Sequence, residues 1–236
     1  MSRGKTPAER DASTDLASGA PPGRSDLPDW KRQSVERSLR AARQRAQEQS
    51  DRLVASAIEL IVERGNTDFT VQDVVDHSRI SIRTFYRFFA SKDDLLIAVH
   101  HTIIEIEVVP RLEAHCDEVT DPVLRIRRYI EGVFDLVSHA LPVARALTVY
   151  YYRLAESRPA DLEVAEQPQL DLLVALLRAA PTREGIDAEH TAVLIHRMLL
   201  GVVHMGILGS QSSAATDVDD VWQLCAHGLG FVDATG

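Results

Sequence analysis

Apolar residues recur every three to four positions along most of the chain, and no segment alternates for long between apolar and polar residues. Because this spacing puts apolar side chains on one face of a helix, it predicts an all-α protein. From Asp93 onward we predict six consecutive helices. Pro122 and Pro142 fall in first turns, Pro110 should kink or end the first helix, and Pro168 is a candidate break in the fourth. The predicted bounds are about 93–116, 121–140, 142–157, 159–180, 187–209 and 217–230.

Three hydroxyl residues in the segment 70–96 stand where helices can begin. Thr70, Ser81 and Ser91 can each cap a helix, and an aspartate follows Thr70 and Ser91 three positions later, as in a capping box. Residues 77–80 cannot continue the apolar face of the first helix, which indicates a turn. The segment therefore predicts two short helices joined by a tight turn, followed by a longer helix.

The second short helix holds four of the chain's thirteen aromatic residues within positions 85–89. Those at 85, 88 and 89 have helical spacing and are predicted to pack inward. The outward side chains suit the DNA major groove, because Arg83 can bind a guanine edge and Ile82 can contact a thymine methyl. Neighbouring hydroxyls and cations can contact phosphates. The alternative is a helical hairpin whose arginines are merely solvated. The predicted DNA-contacting residues are Thr70, Gln72, Ser81, Ile82, Arg83, Thr84, Tyr86, Arg87 and Lys92.

Several stretches of this segment combine into one pattern: ASAIELIVERG at 55–65, FTVQDV at 69–74, Ser81, TFYRFF at 84–89 and SKDDL at 91–95. Together they resemble the DNA-binding domain of the TetR family of transcriptional regulators. The resemblance covers residues 51–96, about a fifth of the chain. It implies a dimeric one-component sensor that usually represses transcription. It also implies that 82–89 is the recognition helix and that Thr70, Tyr86 and Lys92 contact the DNA backbone.

Three places depart from the family pattern. Arg79 stands in the turn where the family often has glycine, and a positive φ costs more without glycine. Ile82 and Arg83 stand where Lys-Gly is common, and Phe88 stands where histidine is common, which removes a phosphate contact. The operator sequence therefore cannot be transferred from better-known members.

The net charge of −9 is unevenly distributed along the chain. Residues 1–94 carry 16 Lys and Arg against 15 Asp and Glu, whereas residues 95–236 carry 10 against 20. An acidic C-terminal part joined to a nearly neutral DNA-binding part is compatible with DNA binding. The predicted domains are a disordered tail at 1–28, a basic helical extension at 29–49, the helix-turn-helix DNA-binding domain at 50–96 (the reader), and an effector-binding and dimerisation domain at 97–236 (the sensor).

The tail and the extension differ in composition. The tail is rich in Ser, Pro, Gly, Asp and Ala and cannot bury a core. The extension reads as a helix with six cations from Lys31 to Arg45 against Glu36 alone. Two interpretations are open: the helix adds phosphate or minor-groove contacts beside the reader, or it is a solvated basic helix.

The last two predicted helices, near 187–209 and 217–230, are candidates for homodimerisation. The first is apolar around much of its circumference, and Gly201 and Gly206 allow close approach. Broad apolar faces need a partner, and a DNA-binding dimer must hold its readers near one helical turn apart. The alternative is that both helices are buried within one subunit. The expected DNA partner is a double-stranded, palindromic operator.

The middle helices contain candidate contacts for a small-molecule effector. We expect it to be largely apolar because inward cations are nearly absent, although Arg153 could pair with an acidic group instead. Consecutive helix residues point about 100° apart, so Tyr150, Tyr151 and Tyr152 cannot all face inward. Each candidate can also be an ordinary core residue. The candidates are Phe134, His139, Leu147, Tyr150, Tyr151 and Met198.

Catalytic and metal-binding motifs are missing from the sequence. We find no Gly-rich phosphate loop and no nucleophile elbow, so we expect no enzyme activity and no cofactor. His101 with Glu105, and His196 with His204, have spacings that a metal could use, but neither pair completes a ligand set. We therefore expect no metal site.

The remaining features concern location and redox state. No apolar run reaches the roughly 18 residues of a membrane span, and no signal-type apolar stretch begins the chain. We therefore expect a cytoplasmic protein without membrane contact. Cys116 and Cys225 lack metal-type spacing and are expected to be reduced and buried, with a redox switch as the alternative.

Overall fold

The computed structural model describes residues 28–138, 142–207 and 218–231. Within these ranges the chain is helical and contains no strand, which confirms the predicted all-α class. The helix bounds are α1 Asp29–Arg64, α2 Val71–Ser78, α3 Ile82–Phe88, α4 Lys92–Ile103, a π-helix Ile104–Val108, α5 Val109–Asp117, α6 Pro122–Ser138, α7 Pro142–Ser157, α8 Pro159–Ala179, α9 Ala188–Ile207 and α10 Val218–Leu229.

The chain divides into two compact units, residues 1–47 and 48–236. In the first unit, the described part of α1 is exposed along nearly its whole length. Arg40 pairs with Glu36 at 3.4 Å, one turn away. Val35 and Leu39, the larger members of a thin apolar stripe on this helix, remain exposed. The predicted tail lies outside the described residues, except for Pro28.

In the second unit, one core forms around the end of α1 and the three helices that follow. Leu53, Ala57, Leu60 and Ile61 share one face of α1, and all four are buried. They pack with apolar residues of α2, α3 and α4, including the fully buried Phe85. Side chains of α7 and α8 join the same core, namely Ala146, Tyr150, Leu154 and Leu162. The core therefore continues across residue 96, where the predicted DNA-binding domain ends.

The predicted irregularity near Pro110 is present. The α-helix α4 gives way at Ile104 to a five-residue π-helix, and α5 begins at Val109 with Pro110 in its first turn. Proline cannot donate a hydrogen bond, and its ring crowds the carbonyl four residues earlier, so a regular α-helix cannot run through this point unchanged. Widening to π geometry accommodates the proline without ending the helical path. Pro168, in contrast, lies inside α8, which continues to Ala179.

A second core holds the sensor together, with contributions from α5, α6, α8, α9 and α10. Its largest fully buried side chains are Trp222 and Tyr129. Gly132 sits where α6 approaches α5, because a Cβ there would lie 3.0 Å from Leu112 Cδ2. Cys116 and Cys225 are buried and free, as expected, and burial raises the pKa of each thiol to about 11. Thiols of this kind are poor nucleophiles at neutral pH.

Helix α9 contains no uninterrupted apolar run of about 18 residues, but its overall composition is strongly apolar. By length and composition alone it could cross a membrane. Core helices of globular proteins pass the same test. Ala192, Ile195 and Leu199 of α9 are buried in the second core, and α9 packs on α6 and α8.

Candidate DNA-binding surface and ligand cavity

A reciprocal capping box fixes the start of α2. The Thr70 hydroxyl accepts from the Asp73 amide at 3.1 Å, and the Thr70 amide donates to the Asp73 carboxylate at 2.6 Å. Arg64, the last residue of α1, pairs with the same carboxylate at 3.1 Å. The Arg64 hydrogen bond, followed by those from Thr70, holds the pKa of Asp73 well below its usual range. The cap predicted from sequence thus also ties α2 to the end of α1.

The turn between α2 and α3 is built without glycine. Arg79 adopts the left-handed conformation, with φ 56° and ψ 33°. Its amide donates to the Asp76 carbonyl at 3.4 Å, and the Ile80 amide donates to the Val75 carbonyl at 3.2 Å. A left-handed residue with a Cβ costs roughly 1–2 kcal/mol. Arg79 therefore adopts the backbone conformation that glycine would favour, at this cost in conformational energy.

Helix α3 rests on its aromatic residues and turns its other face to solvent. Phe85 is fully buried, and Phe89 is nearly so, with their ring centroids 5.7 Å apart. Ser81 caps the helix by accepting from the Thr84 amide at 3.2 Å. The opposite face leaves Ile82 44% exposed and Tyr86 55% exposed, and Arg83 between them is also exposed. Ile82 and Tyr86 are large side chains exposed to solvent beside the Arg83 guanidinium, and they contribute little to the core. This face of α3 is therefore available to a binding partner.

Several predicted DNA-contacting residues already have partners within the chain. Arg87 donates to the Gln49 side chain at 2.6 Å, and its guanidinium lies 4.7 Å from the Phe88 ring centre. The Gln72 amide donates to Asp76 at 2.7 Å. The hydroxyls of Ser81 and Thr84 are 2.9 Å apart. These side chains are held in defined positions beside the exposed face of α3.

Lys92 is partly buried and does not simply extend into solvent. Its ammonium donates to the Thr67 carbonyl and lies 4.7 Å from the Phe69 ring centre and 5.9 Å from that of Tyr150. Partial burial lowers the pKa of Lys92. The side chain therefore packs α4 against the loop before α2, whatever its contact with DNA.

The first turn of α4 is tied to the sensor helices. Tyr150 of α7 donates its hydroxyl to Asp93, and Arg158 donates to Asp94 at 2.6 Å. Arg158 also pairs with Asp161 at 2.6 Å, and the two carboxylates raise the pKa of its guanidinium. Burial alone would raise the pKa of Asp94, but the bond from Arg158 outweighs it and lowers the pKa. The helix that follows the reader is thus bonded directly to α7 and to the start of α8.

A cavity of about 170 Å³ opens between α4, α6, α7, α8 and α9. Most of its wall is aliphatic, for example Ile104, Val133, Leu147 and Leu199. Its polar lining residues are His100, Thr148, Tyr151, Glu166, Gln169, His196 and His204. The cavity therefore combines an apolar volume with a polar wall.

The structure distributes the predicted effector residues among several places. Leu147 and Tyr151 line the cavity. Tyr150 points to Asp93 and packs in the first core, while Phe134 packs against the second core. Met198 faces a surface groove between α9 and α10. His139 lies outside the described residues.

The polar wall centres on Glu166, which is 6% exposed. Its Oε2 lies 3.6 Å from His196 Nε2, and its Oε1 lies 4.0 Å from His100 Nε2. Burial alone would raise the pKa of Glu166, but the neighbouring imidazoles, His196 first, outweigh it and lower the pKa. Burial lowers the pKa of His100 and of His204 to about 4. At neutral pH the wall therefore contains a buried carboxylate and these two neutral imidazoles.

His204 and Tyr151 form an aromatic contact at the same wall, with ring centroids 4.8 Å apart. Tyr152 lies 5.4 Å from the His204 ring, so two of the three consecutive tyrosines meet one histidine. Among the described residues, no group of His, Cys, Asp and Glu side chains has an arrangement suited to a metal ion. The sequence suggested His196 and His204 as two possible metal ligands. In the structure both line the cavity as members of its polar wall.

The model of the tetR family of bacterial regulatory proteins matches residues 53–99, the end of α1 through most of α4. This match covers the capping box, the turn and the exposed helix described above. Residues 53–99 therefore form a TetR-type DNA-binding domain. A curated relative, the HTH-type transcriptional regulator TcmR of Streptomyces glaucescens, is 27% identical over 145 residues. That alignment spans 59% of this chain and 62% of TcmR.

Solved TetR-type structures show the same fold at lower identity. A TetR transcriptional regulator from Rhodococcus sp. RHA1 matches with a TM-score of 0.57 at 19% identity, over 82% of this chain and 100% of that one. FadR from Bacillus subtilis, solved with stearoyl-CoA, matches with a TM-score of 0.54 at 18% identity, over 75% and 97%. Identities this low establish the fold alone, so the ligand has to be inferred from the residues of this chain.

The sequence pattern identified the reader, but of the seven polar lining residues of the cavity only Tyr151 was among the predicted effector contacts. Glu166 and Gln169 lie on α8, and His100 lies on α4, so the sequence alone gives no reason to group them. A glutamate within an amphipathic helix is normally solvated. Only the packing of α4, α8 and α9 shows that Glu166 is buried.

Proposed function

We propose that the chain is a homodimeric, sequence-specific DNA-binding transcriptional regulator, and that a small molecule bound in the cavity changes its affinity for the operator. The observation that carries the proposal is the exposed face of α3, where Ile82, Arg83 and Tyr86 stand on a buried aromatic base. Its support is the TetR-family match over the same helices and the relative TcmR, an HTH-type transcriptional regulator.

The side chains of the reader divide into two kinds of contact. Arg83 binds a guanine edge in the major groove, and Ile82 beside it contacts a thymine methyl. Tyr86 and the Thr70 hydroxyl bind phosphates, which fixes the position of the helix without reading sequence. Lys92 is a weaker phosphate contact than sequence suggests, because its ammonium already donates to Thr67.

The dimer forms through α9 and α10, which carry exposed apolar residues of the sensor. Leu194, Gly201 and Met205 recur at helical spacing on α9 and are exposed, as is Leu224 of α10. A Cβ at Gly201 would meet no described atom of the same chain, so the position is open to a second helix. Other predicted dimer residues, such as Trp222, are buried within the subunit, which narrows the interface to the exposed stripe.

Regulation acts through α4. The cavity is bounded by the later turns of α4, at His100 and Ile103, while the first turn of the same helix follows the reader and is bonded to Tyr150 and Arg158. An effector that fits one position of α4 better than another shifts the separation of the two readers. A coupling of about 1–3 kcal/mol is ordinary for such a switch. The bound ligand in the FadR structure supports a small-molecule effector, and the usual outcome is release of a repressor.

The decisive experiment is selection of bound sequences from random duplex DNA by the full-length protein. We expect an inverted repeat whose half-sites lie about one helical turn apart. On that site, Arg83→Ala should relax the preference at one base pair and cost about 1–3 kcal/mol, whereas Tyr86→Phe should weaken binding to all sites alike. Arg111→Ala, which removes an exposed sensor arginine, is the matched control. Recovery of random sequence, or an Arg83→Ala variant with unchanged preference, would refute the assignment.

The basic extension is proposed to add phosphate contacts to the same complex. Its support is charge alone: six cations against one glutamate from Lys31 to Arg45. Every phosphate contact that the extension supplies adds about 0.9 to the slope of log affinity against log salt. Deletion of residues 1–45 should therefore flatten the salt dependence while leaving the selected motif intact. An unchanged slope would show that the extension is only solvated.

A further inference from the structure

Three buried polar atoms of the cavity wall lack a hydrogen-bond partner within the described residues: Glu166 Oε1, His100 Nε2 and His196 Nε2. The gaps of 3.6 and 4.0 Å between imidazole nitrogens and carboxylate oxygens are too long for direct hydrogen bonds. Buried polar atoms without partners are rare because the hydrogen bonds they lose with water are not replaced. Their convergence on one cavity makes these atoms available to the polar group of a ligand bound there.

The charge of the wall specifies the sign of that ligand. Glu166 is the one acidic side chain of the described lining and its pKa is lowered, whereas burial lowers the pKa of His100 and of His204 to about 4, so these two imidazoles are neutral at pH 7 and do not balance the carboxylate. The described cavity lining contains no Lys or Arg, and the segments 139–141 and 208–217 contain none in sequence. A carboxylate or phosphate ligand would bring a second negative charge to a buried negative group. A cation would neutralise it.

The number and kind of unpaired atoms specify the group. An ammonium has three donors and no acceptor, and the wall offers three unpaired atoms that can accept. A neutral imidazole accepts at Nε2 when its proton is on Nδ1. A hydroxyl can pair with all three when both imidazoles carry their proton on Nε2, by donating to the carboxylate and accepting from the two nitrogens, but it leaves the charge of the carboxylate uncompensated. A protonated primary amine both pairs with the three atoms and neutralises the carboxylate.

The rest of the cavity specifies what the amine is attached to. Its volume of about 170 Å³ is close to the roughly 150 Å³ of an apolar protein cavity that holds benzene. Aliphatic side chains form the remaining wall, and the Tyr151 ring stands beside the polar side, where a cation can contact its face. One ring, or an aliphatic chain of similar size, fills the space.

We propose that this cavity binds an apolar primary amine, with the ammonium held by Glu166 between His100 and His196 and the hydrocarbon part against the aliphatic wall. The inference rests on the proposed function only in calling this ligand the effector, since binding itself does not require DNA. It also replaces the acidic effector that Arg153 suggested, because the Arg153 guanidinium lies 5.4 Å from the Tyr150 ring and does not line the cavity.

Calorimetric titration of the full-length protein at pH 7.5, without DNA, tests the inference with three matched probes. These are 2-phenylethylamine, 2-phenylethanol and phenylacetate, which share one ring and differ in the terminal group. Charged hydrogen bonds in a buried site favour the correct partner strongly, so we expect the amine to bind at least about tenfold more tightly than the alcohol. Phenylacetate should bind more weakly than either.

Two variants of α8 locate the contact. Glu166→Gln keeps the size of the side chain and removes its charge, and it should abolish the preference for the amine over the alcohol. Glu163→Gln makes the same change one turn earlier on an exposed residue outside the cavity and should leave the preference intact. The wild-type comparison stands even if Glu166→Gln folds poorly.

Several outcomes overturn the inference. These are equal binding of amine and alcohol, tighter binding of phenylacetate, an amine preference that survives Glu166→Gln, and binding of none of the three probes. Stabilisation by Zn²⁺ without amine binding would likewise replace the amine with a metal. Failure of the regulator proposal is separate: DNA selection without a motif, together with amine binding, would refute the regulator and keep the amine site. A motif without amine binding would do the reverse.

Discussion

Acid should destabilise this protein because two buried histidines take up a proton at lower pH in the folded state than in the unfolded state. The pKa of His100 and of His204 is lowered from 6.5 to about 4 by burial. Between those values the unfolded chain binds a proton that the folded chain does not. Stability is therefore fully present above pH 6.5 and falls as the pH drops toward 4.

The size of the effect follows from the width of this window. From pH 7.5 to 5.0, an unfolded histidine titrates while the folded one hardly does, over about 1.5 pH units below its ordinary pKa. At about 1.4 kcal/mol per unit, each histidine removes about 2 kcal/mol from the free energy of unfolding. The two together remove about 4 kcal/mol, a large part of the roughly 5–15 kcal/mol typical of a folded domain.

The test compares wild type with His204→Gln, which cannot be protonated. Urea unfolding followed by circular dichroism, at one protein concentration, gives the free energy of unfolding at pH 7.5 and at pH 5.0. The variant should lose about 2 kcal/mol less than wild type between the two pH values. His190→Gln changes an exposed histidine on the same helix and should follow wild type. Equal acid sensitivity in all three proteins would show that His204 is accessible to protons, and the described burial would be wrong.

Three further predictions concern the reader and are measured by the same unfolding experiment at pH 7.5. Thr70→Ala removes the capping box and should cost about 0.5–2 kcal/mol, with Thr70→Ser near wild type; an unaffected Thr70→Ala would mean that the cap is not formed. Phe85→Ala should cost about 3–5 kcal/mol and Phe85→Leu clearly less, whereas a cost below about 1 kcal/mol would contradict full burial. Arg79→Gly should stabilise by about 0.5–1 kcal/mol because it relieves the left-handed strain. Arg79→Ala, which keeps the Cβ, should not, and a gain in both would point to charge instead.

The helices of the reader could be predicted from the sequence because the interactions that define them join residues close together in the chain. Thr70 and Asp73 make their reciprocal bonds across three residues, and the aromatic spacing at 85–89 sorts inward from outward positions within two turns. The left-handed Arg79 was foreseeable only as a departure from a pattern that favours glycine. Arginine has no preference for a positive φ, so the residue type at position 79 does not predict the observed φ of 56°.

The cavity could not be predicted in the same way because its wall depends on which helices meet. Glu166 and His196 come from α8 and α9, and His100 comes from α4, far away in sequence. The sequence could show that Tyr150, Tyr151 and Tyr152 cannot all face inward. It could not show that Tyr150 would turn to Asp93 and leave Tyr151 at the cavity, since the choice depends on how α7 lies against α4.

The π-helix between α4 and α5 also sets the phase of the chain. Inward side chains step by five residues from Val99 to Ile104 and by four thereafter, so one extra residue is absorbed inside a continuous helical path. Deleting Glu105 would shorten the step from Val99 to Ile104 to four residues, so an ordinary α-helix would keep the same side chains on its inward face. A single-residue deletion here should therefore be tolerated better than one in the middle of a regular helix such as α6, where it would rotate every later residue of the helix by about 100°.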